Sequence, residues 1–304
     1  MPHDHSGHSH SHGHSHHGHH HGSETGNIAV AFWLNFSFSL IELIGGLLTN
    51  SVAILADAMH DLGDSLAIAF AWAAAKVSGK APNQRYSYGY RRWSLLSALV
   101  NSLILVLGSC WILYEAVPRL WDPVLPHAPG MMALAVLGVL VNGAAVLKLR
   151  LGKTQNEQVL TWHLLEDVFG WVAVLVGSLL IYLTGWAVID PLLSIGFTLF
   201  ILLNVWRNLR RTFGLFLQVS PDPALTQELE EKLQALNFVS EVHHLHLWSL
   251  DGEKHVLTAH LVLTVAEHPD LPAYKQQIRE LLAPYRLQHT TIEFEFAAEA
   301  CRDH

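Results

Sequence analysis

Six apolar segments dominate this chain: roughly residues 27–48, 51–75, 93–114, 131–149, 160–184 and 187–208. Each is close to the ~20 residues that a helix needs to cross a bilayer. Charged residues make up 14% of the sequence, where a soluble domain carries about 25%. The shortfall is concentrated in these segments, so the expected fold is an α-helical membrane protein with six transmembrane helices. Short connections make consecutive helices antiparallel neighbours.

Lys and Arg in the loops orient the helices. The loop after the second segment holds Lys76, Lys80, Arg85, Arg91 and Arg92. The region after the fourth holds Lys148, Arg150 and Lys153, and the end of the sixth holds Arg207, Arg210 and Arg211. The opposite turns, Thr49-Asn50 and Gly185-Trp186, have none, and the loop between the third and fourth segments has Arg119 alone. Cytoplasmic loops carry the basic excess. Both termini are therefore expected in the cytoplasm, and the chain in a cell inner (plasma) membrane. Trp121 and Trp186 fall at the outer boundary, where aromatic belts form.

Residues 1–22 are a His/Ser/Gly tract that cannot form a core and is expected to be disordered, gathering metal loosely. It lacks the basic and apolar regions of a signal peptide. Residues 23–213 make up the membrane domain, and 214–304 a cytoplasmic one. In the last, 221–236 reads as an amphipathic helix. Residues 239–250 and 254–263 alternate as strands around Asp251-Gly252, a hairpin turn signal. A second helix at 270–285 and a strand at 290–296 complete the order αββαβ. This is a small α+β, ferredoxin-like domain with its helices on one sheet face. Alternation puts Leu257, Ala259, Leu261 and Leu263 on the helix face, with Leu245, Leu247, Ile292, Phe294 and Phe296. It puts His244, His246, Trp248, His260, Glu293 and Glu295 on an uncovered face, with His243 at its edge.

Net charge is −8 with His neutral, which argues against a nucleic-acid partner. No GxxxxGK[ST] motif is present, so no nucleotide is expected. Cys110 and Cys301 form neither a CxxC pair nor a disulfide framework.

The chemistry is concentrated in a repeated spacing. His60 and Asp64 lie four residues apart in the second segment, and His163 and Asp167 repeat this in the fifth. Spacing i, i+4 puts both side chains on one helix face. Two such helices offer two imidazoles and two carboxylates, a set suited to tetrahedral zinc. Ionisable groups at membrane depth mark ion pathways by default. Asp57, three residues before His60, lies on much the same face. Asp61 and Glu166 are offset by about 100° from the residues beside them and are expected to face elsewhere. Asp190 sits where a helix start favours an acid. No HExxH stands on either helix, so an intramembrane metalloprotease is not expected.

LADAMHDLGD (55–64) and HLLEDVFG (163–170) resemble the paired metal motifs of the cation diffusion facilitator family. IDPLLS (189–194), VHHLHLW (242–248) and YGYRRWSLLSALVN (88–101) are similar to its sixth helix, its first cytoplasmic strand and the start of its third helix. The resemblance spans all six helices and the tail, and is nearest to bacterial zinc exporters with a His-rich N-terminus. It implies a transporter, not an enzyme. The implied protein is a homodimeric antiporter that exports zinc, with cadmium or cobalt left open, against protons by alternating access. The transport ligands would be His60, Asp64, His163 and Asp167. In the tail, the resemblance points to His243 and His260 as metal ligands. It places further ligand positions at Tyr274, Glu293 and Glu295. Glu166 departs from the small residue that the family often has there.

Deleting residues 2–22 should lower zinc transport at scarce zinc while leaving maximal flux unchanged. Flux measured against zinc concentration checks this. A collapse of the maximum would give the tract a structural role instead.

Overall fold

The computed structural model describes residues 21–149, 155–264, 269–296, 299 and 301. Residues 1–20 of the His-rich tract lie outside this set. Six long helices come first: α1 (His21–Thr49), α2 (Val52–Ser78), α3 (Trp93–Ala116), α4 (Ala128–Leu149), α5 (Gln155–Thr184) and α6 (Ile189–Phe216). Among the described residues, five of these are long and apolar enough to cross a membrane. The exception, α2, is 27 residues long but carries Asp57, Asp61, Asp64 and Lys76. It is the helix with ionisable groups in its middle that departs from the hydropathy pattern.

α2 packs against α1, α3, α5 and α6. Small residues allow the close approaches. Leu105 of α3 lies where a side chain on Gly63 would stand, and the Trp171 ring of α5 occupies the space over Gly138 of α4. Trp171 is 1% exposed, so α4 and α5 meet over an indole seated on bare backbone. Outward-facing positions are apolar, with Leu34, Leu107, Leu140, Leu183 and Leu203 all exposed. A surface of this kind suits lipid and not water. Trp121 and Trp186 are likewise exposed.

The turn between α1 and α2 shows how the bundle is pinned. Asn50 takes a left-handed backbone at φ 55°, which Asn tolerates at a helix C-terminus. Ser51 then caps α2, its hydroxyl accepting from the Ile54 N–H at 3.2 Å. Asp190 does not cap the helix it opens. Its carboxylate, 1% exposed, accepts from Ser51 Oγ at 2.5 Å and from the Val52 and Ala53 N–H groups at 2.9 and 3.3 Å. An acid at the start of α6 thus satisfies the free amides at the start of α2, where the positive end of the helix dipole favours it.

The tail follows the expected order: α7 (Pro223–Gln234), β1 (Val239–Ser249), β2 (His255–Leu263), α8 (Leu271–Leu282) and β3 (Leu287–Phe296). The sheet order is β1-β2-β3, with β1 antiparallel and β3 parallel to β2. The parallel pairing follows from the α8 crossover. Leu229 and Leu233 of α7, Ile278 and Leu282 of α8, and Leu257 and Leu261 of β2 form the core. Burying each Leu contributes about 1.5–3 kcal/mol.

The first strand carries a bulge on the histidine face. The ladder pairs His243 with His260, then His246 with Thr258, leaving His244 and Leu245 in a bulge. His244 has φ 49°. The extra residue places His243 directly across from His260, while the His244 ring stays beside that of His260, centroids 5.2 Å apart. His260 and Glu295 are buried, and His246 is exposed.

Asp190→Ala should lower the stability of the folded protein by about 1–3 kcal/mol, because buried donors at the start of α2 lose their acceptor. Asp190→Asn should keep part of it, having one oxygen left. Thermal unfolding in detergent measures both, and equal behaviour of Asp190→Ala and wild type would refute this capping role.

Candidate functional site

Two groups of histidine and carboxylate side chains stand out among the described residues. The first lies between α2, α5 and α6. His60 and Asp64 occupy one face of α2, with Nε2 3.7 Å from Asp64 Oδ2 and both side chains about a quarter exposed. A cavity of about 290 Å³ opens beside them. Its lining includes Asp57 and His60 from α2, Glu166, Asp167 and Gly170 from α5, and Phe197 and Phe200 from α6. Asp167 thus lines the same cavity as His60. His163 sits on α5 one turn before Asp167; its side chain lies outside the described atoms.

Of the two neighbours expected to face elsewhere, Glu166 departs from that expectation and Asp61 follows it. Glu166 lines the cavity with Asp167, because the cavity wraps wide enough on α5 to take in adjacent residues. Asp61 is buried and turns toward α1, where its side chain meets Glu42. Asp57 stays in the site. One of its carboxylate oxygens is buried without a hydrogen-bond partner among the described residues, and the other is 3.7 Å from where a Cβ on Gly170 would stand. A carboxylate on the wall of a cavity is suited to meet a cation.

The second group lies on the tail sheet. The β1–β2–β3 ladder sets His243, His260 and Glu293 in one row. Glu295 bridges the two histidines, with Oε1 2.7 Å from His260 Nδ1 and Oε2 3.0 Å from His243 Nε2. Glu293 Oε2 is farther, 3.9 Å from His260 Nε2, at the more exposed rim. Burial pushes the Glu295 carboxyl up. Hydrogen bonds from His260 and Cys301 and the charges of the two histidines outweigh this and hold it below its usual value. Tyr274 takes no part. It stacks on Phe238, ring centroids 3.9 Å apart, in the core on the helix face. Cys301 is the residue that sequence reasoning missed. A single cysteine beyond the last strand has no pattern to mark it, and only the folded chain brings it to His260.

The two modules meet through the loop after α2. Arg91 Nη1 is 3.0 Å from Asp251 Oδ2 in the β1–β2 turn, and Tyr88 packs edge-on against His289. Partial burial pushes the Asp251 carboxyl up, but the Lys254 and Glu253 N–H groups and the Arg91 guanidinium outweigh it and hold it down.

A helical bundle with a lipid-type surface, imidazole and carboxylate groups around an internal cavity, and a small α+β tail define a membrane protein built to accommodate a cation. Residues 28–217 match the cation efflux transmembrane domain, and 221–292 the cytoplasmic domain of cation efflux proteins. The chain belongs to this family, the cation diffusion facilitators that its motifs resemble. It is 32% identical to the metal cation efflux system protein CzcD of Cupriavidus metallidurans, over 96% of this chain and 90% of that one. It is 36% identical to the zinc transporter ZitB of Escherichia coli, over 88% and 86%. A cadmium, cobalt and zinc/H(+)-K(+) antiporter of Bacillus subtilis is 28% identical over 89% of both chains.

Gly170 tests whether the cavity is the route. Gly170→Ala adds a Cβ at ordinary contact distance and should leave cation flux near wild type. Gly170→Leu should fill the space beside Asp57 and reduce flux to that of empty vesicles with the fold intact. Flux unaffected by Gly170→Leu would place the route elsewhere.

Proposed function

We propose that this protein exports zinc from the cytoplasm in exchange for protons, by alternating access. It does so with six helices spanning the cell inner membrane and both termini in the cytoplasm. The observation that carries this reading is the cavity where the imidazole–carboxylate face of α2 meets Asp167 of α5. His60, Asp64, His163 and Asp167 would bind the ion tetrahedrally. Two imidazoles favour zinc and its transition-metal neighbours over magnesium and calcium, which prefer oxygen shells. Two carboxylates offset the dication, so the loaded site is near neutral and its burial cost is low. Histidine titrates near neutral pH, and a proton and a metal ion compete for the same nitrogen. That competition supplies the exchange without a nucleotide. The printed names of CzcD, ZitB and the Bacillus antiporter fit such a substrate range, with cadmium and cobalt beside zinc.

The remaining parts of the reading follow from the same likeness. Residues 1–22 form a metal-gathering tail, 23–213 the transport domain and 214–304 a ferredoxin-like cytoplasmic domain. The family's tail domain supports a homodimer. In each tail His243, His260 and Glu295 would hold a second, resident zinc, for which their mutually close donors, two of them on buried residues, are suited. Exporting one Zn²⁺ for one proton moves charge outward against about 2.3 kcal/mol per 100 mV. Two protons would make the cycle electroneutral.

Asp64→Ala and Asp167→Ala should each reduce zinc flux to the level of empty vesicles in proteoliposomes with an imposed pH gradient, while the protein stays folded. Each removes a ligand and a charge from the site. Wild-type flux in either well-folded variant would falsify the membrane site, and flux indifferent to the pH gradient would remove the proton from the cycle.

A further inference from the structure

Five residues beyond β3, Cys301 reaches the polar face of the sheet, with Sγ 3.5 Å from His260 Nδ1. It also hydrogen-bonds with Glu295. One donor atom from each of His243, His260, Glu295 and Cys301 lies within 4.8 Å of all the others. His260 and Glu295 are 8% and 7% exposed, and His243 and Cys301 are half-buried, so the cluster is partly withdrawn from solvent.

We propose that Cys301 supplies a thiolate as the fourth ligand of the tail metal, completing a two-nitrogen, one-oxygen, one-sulfur set for a zinc-class ion. The proposal rests on the tail site described above and adds a ligand that the histidine and carboxylate pattern does not contain. Metal–ligand bonds of 2.0–2.3 Å in a tetrahedron require donors about 3.3–3.8 Å apart. The cluster is therefore within about 1 Å of closing, which side-chain rotation can supply. Three protein ligands leave a zinc ion one open position, whereas four close it, as structural sites require. The thiolate and the Glu295 carboxylate balance a dication held by two neutral imidazoles. On binding, the Cys301 S–H proton leaves to solvent and an S–metal bond forms, with no change of oxidation state. Cytosolic thiols are kept reduced, so the ligand is available there. A soft sulfur also separates the two sites chemically. The tail then favours zinc and cadmium over manganese, magnesium and calcium more strongly than the sulfur-free membrane set does.

Cobalt(II) added to the full-length protein in detergent tests the proposal. Sulfur bound to cobalt gives an intense near-ultraviolet charge-transfer band that imidazole and carboxylate do not, so the His-rich N-terminus and the membrane site are silent in it. The band should appear in wild type and in Cys110→Ser, and be absent from Cys301→Ser. Zinc affinity at the tail should fall at least about tenfold in Cys301→Ser, more than the loss of a residue merely supporting a ligand at its low end. Cobalt should also protect Cys301 from alkylation in wild type, a readout that needs no variant. Visible tetrahedral cobalt absorption that the His243→Ala/His260→Ala variant loses, without any sulfur band in wild type, would overturn the thiolate ligand and leave the histidine–carboxylate site standing. Identical cobalt spectra for wild type and that double variant would remove the tail site itself and the proposal with it. A band that survives Cys301→Ser but not Cys110→Ser would assign the sulfur to Cys110 and equally overturn the proposal.

Discussion

The structure depends on holding a helix with ionisable side chains inside an apolar bundle. Asp57, His60, Asp61 and Asp64 stand within eight residues of α2. A carboxylate left alone in hydrocarbon is costly. α2 is accordingly placed where four other helices touch it, and where a cavity, not lipid, receives the side chains of Asp57 and His60. Its N-terminus is held by the Asp190 carboxylate through three hydrogen bonds. This fixes the height of α2 against α6, the helix that also contributes Phe197, Phe200 and Ile201 to the cavity wall. The site's geometry and the bundle's packing are therefore set by the same contacts.

Local signals made the helices readable. Long apolar runs impose helix on a chain with no water to satisfy its backbone, and an i, i+4 spacing holds in any helix, so His60 and Asp64 had to share a face. Parts of the site that depend on distant partners were not readable in this way. Asp190 lies 139 residues from Ser51 in sequence, and its position at a helix start suggested the wrong helix to cap. In the tail, strict alternation put His244 on the face of His260, where its ring does lie, but it gave no sign of the bulge. A single left-handed residue at His244 takes that place out of the ladder and brings His243 opposite His260. Bulges of this kind re-aim side chains next to functional sites, and no propensity of His-His-Leu announces one. Cys301 was unreadable for a simpler reason. Its partners are 41 and 6 residues away, on two different strands, and no periodic element carries it there.

The contact between bundle and tail includes an ion pair anchored in a turn. Arg91 belongs to the basic loop that follows α2, and Asp251 to the turn that follows β1, the strand carrying His243. An exposed ion pair contributes about 0–1 kcal/mol. This one is reinforced by two backbone N–H groups that fix the Asp251 carboxylate in its turn at 2.8 and 2.9 Å. Asp251 is held below the ordinary carboxylate value in the folded protein. Its contribution to stability is therefore fully present above the unfolded carboxylate value, and is lost only as pH falls through its own lower one. The tie to Arg91 is therefore weakened only at acid pH. It holds the β1–β2 turn, and with it the strand that carries His243, to the loop that leads out of α2.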